Sequence, residues 1–103
     1  MAEASPVASD GVAGTLHAAD YVERLRRHWS HKLEVTTGDG GAVRIVMPSG
    51  AVVRLLARAD SVAVSIAAAS PAQLAEAQAV VVDHLDRFAF REAPLGFVWS
   101  AGA

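Results

Sequence analysis

Cysteine is absent from the 103-residue chain. That absence removes disulfides, thiolate nucleophiles and thiolate metal ligands together, and it suits a reducing compartment. Lysine occurs once, as Lys32. Aromatic residues make up 6% of the sequence, and Tyr21, Trp29, Phe88, Phe90, Phe97 and Trp99 fall in two segments. The core must therefore be filled mainly by modest aliphatic side chains. No apolar run approaches the ~20 residues of a membrane-spanning helix; Val62 to Ala69 is short and interrupted by Ser65. Near the start, Glu3 and Asp10 stand where a secretory signal would need basic residues and then an apolar stretch. A soluble, cytoplasmic protein without membrane contact is the resulting expectation.

Charge of either sign is scarce as well. Nine basic residues against eleven acidic ones leave a net charge of -2, without the positive excess that nucleic-acid binding draws on. Two common catalytic signatures are missing. There is no G-x-S-x-G elbow, and Gly38-Asp39-Gly40-Gly41 lacks the Lys-Ser/Thr ending of a phosphate loop. Ser49, Ser65, Thr36 and Thr37 have no identifiable base partner. Length allows one domain with one core and no separate catalytic unit.

What is present is a clear succession of periodicities. Ser70, Pro71 and Gln73 have the spacing of a capping box with proline in the first turn. Leu74, Ala77, Val81, Leu85 and Phe88 then recur every three or four residues, so they share one face of a long helix. Arg91, Glu92 and Pro94 end it, and Leu95 to Trp99 reads as a closing strand. An earlier helix is expected from Asp20 as N-cap, with Glu23 at the third helical position. It carries Val22, Leu25 and Trp29 on its apolar face and finishes near Ser30 or His31.

Between the helices, Leu33–Thr37, Ala42–Met47, Ala51–Ala57 and Val62–Ala68 read as strands. The reversals at Gly38–Gly41, Pro48–Gly50 and Asp60–Ser61 are too short for parallel crossovers, so these strands must be antiparallel neighbours. The expected fold class is α+β: an antiparallel four-stranded meander with two helices packed on one face, plus short N-terminal and C-terminal strands. Residues 1–12 are expected to form a flexible tail and residues 13–101 a single domain. Ala13 to Ala18 would then be a short edge strand with Leu16 inward.

The string His84-Leu85-Asp86-Arg87-Phe88-Ala89-Phe90-Arg91-Glu92, followed by Leu95 and Trp99, resembles the C-terminal signature of the DUF2218 family of small bacterial proteins. The order of Arg27-His28-Trp29-Ser30-His31-Lys32, the glycine turn and Pro48-Ser49-Gly50 extends the resemblance over about Ala13 to Trp99. The resemblance implies membership of an uncharacterised group. Some of its members carry an aldolase label, and related domains occur fused to siderophore-interacting flavoproteins. Aldol chemistry would need a metal cluster on a larger scaffold or a lysine in an apolar pocket. Lys32, at a helix exit, is expected in solvent. An iron- or siderophore-related accessory role fits the resemblance better.

Three sets of residues can carry chemistry. His28 and His31, three apart at a helix end, together with His84 supply the donor types of a zinc or iron site. The bland alternative is that His28 and His31 complement the helix dipole and His84 packs at the surface. His84, Arg87, Arg91 and Glu92 lie beside Phe88 and Phe90, where a carboxylate or phosphate could be held; a structural network through Asp83 and Glu92 is the competing use. Arg24, Arg26, Arg27, His28 and Lys32 form a local basic patch, with Glu23 nearby to offset it. The leading expectation is a small non-enzymatic accessory or binding domain for a protein partner, a second copy of the chain, or a small acidic ligand. A histidine-based metalloprotein or enzyme and a weak nucleic-acid binder are the alternatives. The sequence leaves any cofactor unknown, and whether any reaction is catalysed stays open.

Overall fold

The computed structural model describes residues 6–102. The elements follow as β1 (Val7–Gly14), α1 (Ala18–Ser30), β2 (Glu34–Thr37), β3 (Val43–Val46), β4 (Val52–Ala57), β5 (Ser61–Ala68), α2 (Pro71–Phe88) and β6 (Val98–Ala101). All six strands join one sheet in the order β2-β3-β4-β5-β1-β6, and every neighbouring pair is antiparallel. The α+β class and the central meander β2 to β5 are as the sequence implies.

The strand period of two decides which face is covered. Val43 and Ile45, Val53 and Leu55, and Val62, Val64 and Ile66 are buried on one side of the sheet. Leu25 and Trp29 of α1 and Val81 and Leu85 of α2 pack into the same core. Arg44, Arg54 and Ser65 point to the other side. Both helices therefore lie on one face, and no element covers its opposite among the described residues. Helix α2 begins as its cap residues dictate: Gln73 N–H donates to Ser70 Oγ at 3.2 Å, with Pro71 at the helix start. The reciprocal arm of the box is not made, because Gln73 Oε1 is buried without a hydrogen-bond partner among the described residues.

The N-terminal region departs most from expectation. Residues 7–12, expected in a flexible tail, belong to β1, and residues 1–5 lie outside the described residues. Strand β1 is no edge strand: it pairs with β5 on one side and β6 on the other. Its sequence, VASDGVAG, has little intrinsic preference for strand, so two-sided pairing supplies what local sequence does not. Gly11 has a specific reason to be glycine. A Cβ there would stand 2.7 Å from ring carbons of Trp99, the residue paired with it on β6.

Leu16, expected inward, is 79% exposed in the turn that follows β1. Helix α1 starts at Ala18, with His17 rather than Asp20 at the cap position and no side-chain cap bond. The exit of β1, held by Thr15 N–H to the Asp60 carbonyl, delivers the chain into the helix before Asp20 is reached. Asp20 instead pairs with Arg24 one turn along.

Candidate functional site

The first turns of α1 and the exit of α2 meet at one end of the helical layer. Tyr21 lies on the buried stripe of α1, 6% exposed, and its hydroxyl donates to Glu92 Oε2. Thr15 Oγ1 also donates to Glu92, at 3.0 and 2.9 Å from the two carboxylate oxygens, and accepts from the His17 N–H at 3.1 Å. Glu92 thus clasps the β1–α1 turn, α1 and the segment after α2. The hydrogen bond from Tyr21, then that from Thr15, hold its carboxyl below the usual range, and the charge of His17 adds in the same direction. The Tyr21 hydroxyl is pushed up, first by its bond to Glu92 and then by burial. A carboxylate engaged in this way is a structural acceptor.

Beside the clasp opens a pocket of ≈ 330 Å³, walled by His17, Asp20, Arg24, Phe88, Phe90 and Arg91 together with Tyr21 and Glu92 of the clasp itself. Its two cations differ. Arg24 Nε is 3.0 Å from Asp20 Oδ2, whereas Arg91 has no carboxylate within 4.0 Å among the described residues. The Arg91 guanidinium lies 5.6 Å from the centroid of the Phe90 ring, and Phe90 is 71% exposed. An unmatched cation beside an uncovered aromatic ring can bind a flat, acidic group.

The sequence profile described as "Uncharacterized protein conserved in bacteria (DUF2218)" matches residues 10–100. The chain belongs to this family. A similar solved structure is the NMR structure of PA4090 from Pseudomonas aeruginosa. It is 34% identical, covers 91% of this chain and 95% of its own, and superimposes with a TM-score of 0.76. No curated protein matches the chain.

In this DUF2218 domain the ligand quartet expected from sequence separates. Arg91 and Glu92 reach the pocket. Arg87 faces elsewhere and pairs with Asp83 at 2.9 Å. Arg87 and Arg91 are four apart, but α2 stops at Phe88, so helical spacing no longer aligns them. His84 lies between the helices, its ring centroid 4.9 Å from Trp29 and 5.4 Å from His28. His84 Nδ1 is 2.8 Å from the Val80 carbonyl. A carbonyl only accepts, so the proton belongs on Nδ1 and Nε2 is left as the free position.

The three-histidine set does not assemble. His28 and His84 adjoin, but His31 sits at the C-cap of α1, and no group of three or more potential metal-holding side chains occurs among the described residues. The basic patch is largely matched by acids on its own helix: Arg24 with Asp20, and Arg26 and Arg27 with Glu23 at 2.7 and 2.9 Å. Those two arginines draw the Glu23 carboxyl down to about 2.

Lys32 is exposed, as expected, yet it borders an apolar depression of ≈ 270 Å³ formed by Trp29, Leu33, Met47 and Val80, with Glu76 also bordering it. His17, Tyr21 and Thr15 were invisible as site residues in the sequence. Their link to Glu92 spans 71 residues from Tyr21 and 77 from Thr15, and no local spacing encodes it.

Proposed function

We propose that this domain is a non-enzymatic binding module for a small acidic ligand with a flat apolar body. The ligand is held in the pocket between the start of α1 and the exit of α2. The observation that carries this reading is Arg91, a guanidinium without an acidic partner, next to the uncovered ring of Phe90. The pocket volume, ≈ 330 Å³, lies at the lower end of the range for small-molecule sites, about 300–1,000 Å³.

Binding is favoured over catalysis by the state of the acids. A general base works best with a pKa near the operating pH, and Glu92 is shifted the opposite way by two hydroxyl donors. Asp20 is occupied by Arg24. The pocket thus has cations to orient an anion and rings to cover its body, without a poised proton acceptor among its carboxylates. Aryl carboxylates belong to this ligand class, as do the catechol acids from which many siderophores are assembled. That connects the pocket with the accessory role implied by siderophore-interacting fusion partners.

A ¹H–¹⁵N NMR titration with benzoate and with 2,3-dihydroxybenzoate tests the proposal. Saturable shifts are expected at His17, Arg24, Phe90 and Arg91. Arg91→Ala should weaken binding by about tenfold, the equivalent of one charge-assisted hydrogen bond of roughly 1.5 kcal/mol. Shifts scattered away from the pocket, or an Arg91→Ala variant that binds as well as the parent, refute it.

A further inference from the structure

The uncovered face of the sheet has an order of its own, separate from the ligand pocket. The strand registers place Thr36, Arg44, Arg54, Ser65, Asp10 and Ser100 in one row across all six strands. An apolar row lies on each side. One runs Val46–Val52–Ala67–Ala8, the other Leu56–Ala63–Val12–Val98. Val12 is 42% and Val98 75% exposed.

The charges in the polar row are unbalanced in a particular way. Arg44 and Arg54 stand directly opposite each other, an arrangement that repels. Arg44 is offset by Glu34 at 3.5 Å, but Arg54 has no carboxylate within 4.0 Å among the described residues. Among the described residues Asp10 has only the Ser65 hydroxyl, at 2.8 Å, as a side-chain partner. Arg54 and Asp10 each lie one strand from β5, on opposite sides, level with Ser65. Strand β5 itself presents only Ala63, Ser65 and Ala67 on this face, and a depression of ≈ 460 Å³ lies over Ser65 and Ala67.

We infer that this face docks on a second copy of the same chain, about a two-fold axis running along β5. Such an axis exchanges the two sides of β5 while leaving each row at its own level. It therefore sets Arg54 of one copy against Asp10 of the other, twice, and Leu56 against Val12 twice. Small residues on the axis let the sheets approach to the ~10 Å of a face-to-face sandwich, a gap that an arginine and an aspartate can bridge together. A patch about 25 Å across the strands and about 20 Å along them covers roughly 500 Å² per copy, toward the small end of specific interfaces. The association is accordingly a weak one and sensitive to salt.

Sedimentation velocity on the full chain, from low micromolar to near-millimolar protein, provides the test. The wild type should pass from monomer to dimer, with weaker association at high salt. Arg54→Asp and Asp10→Arg should each be monomeric while keeping the far-UV spectrum of the parent. An equimolar mixture of the two should dimerise again, because each then meets opposite charge at both positions. Ala63→Arg, which sets two cations against each other at the axis, should be monomeric too. A wild type that stays monomeric throughout overturns the inference and leaves the face to another occupant. So does a dimer that survives Arg54→Asp or Ala63→Arg, or a mixture that fails to associate. Benzoate binding at Arg91 is read separately and can stand or fall independently.

Discussion

Replacing Gly11 by alanine tests the packing of the sheet by its sign. In the middle of an ordinary strand, glycine to alanine stabilises by about 0.5–1 kcal/mol, since glycine has more backbone freedom to lose. At Gly11 the added methyl would meet three ring carbons of Trp99, at 2.7, 2.7 and 2.9 Å. Carbon atoms pack at about 3.5–4.0 Å, so the indole must withdraw by roughly 1 Å. It is β6 that yields, because β6 pairs on one side only while β1 is held on both. Overpacking costs about 1–3 kcal/mol; set against the backbone gain, the net effect is a loss of about 1–2 kcal/mol. For a domain of this size that lowers Tm by roughly 4–8 °C per kcal/mol. Urea and thermal unfolding followed by circular dichroism measure the loss, and tryptophan emission reports the displaced ring. In a Trp99→Ala background the obstruction is gone and the same substitution should stabilise. A raised Tm for Gly11→Ala in the native background, or a cost that persists without the indole, refutes the reasoning.

Glu92→Gln should lower stability at neutral pH, and the gap from wild type should close on acidification. The folded carboxyl lies below the ordinary 4.5, so its contribution is complete above that pH and is lost as pH falls through the folded value. Tyr21 lies above its ordinary 10.0, so its contribution is complete below that pH and is lost only in strong alkali. Glu23, held at about 2, titrates in both proteins and cancels from the difference; a gap in urea midpoints that does not shrink in acid would count against the clasp. Ser70→Ala removes the α2 cap bond and should cost about 1 kcal/mol in urea unfolding, with Ser70→Asp close to wild type. Leu85→Ala empties a fully buried position and should cost about 2–5 kcal/mol; a loss below 1 kcal/mol in the same assay would show that α2 is not packed as described.

Much of the architecture could be read from local pattern. Ser70, Pro71 and the Leu74–Phe88 stripe define α2, and the three short reversals leave β2 to β5 no arrangement but an antiparallel meander. The assignment of Val43, Ile45 and Met47 to one face and Arg44 and Val46 to the other also follows from the period of two. Strand β1 did not announce itself, because Ala8, Ser9, Asp10 and Gly11 are poor strand formers whose conformation comes from partners far along the chain. The candidate site is legible only in half. Arg91 and Glu92 stand out beside two phenylalanines, but a helical spacing that ends at Phe88 groups Arg87 with them. Thr15, His17 and Tyr21 join them through tertiary contact alone. The histidines illustrate the same limit: spacing suggested convergence, and the helix ending at Ser30 leaves His31 apart from the adjoining His28 and His84.

The place of β1 in the sheet also bears on the order of assembly. Its partners Ser65 and Ser100 stand 55 and 90 residues further along the chain, so both its flanks are satisfied only after long loops have closed. The meander β2 to β5 can zip by local hairpins, whereas this final insertion closes long loops and sets the pace. Until β1 is in place β5 keeps an open edge, and until β6 joins β1 keeps one as well, so the stages before closure are when this small domain is most open to mispairing.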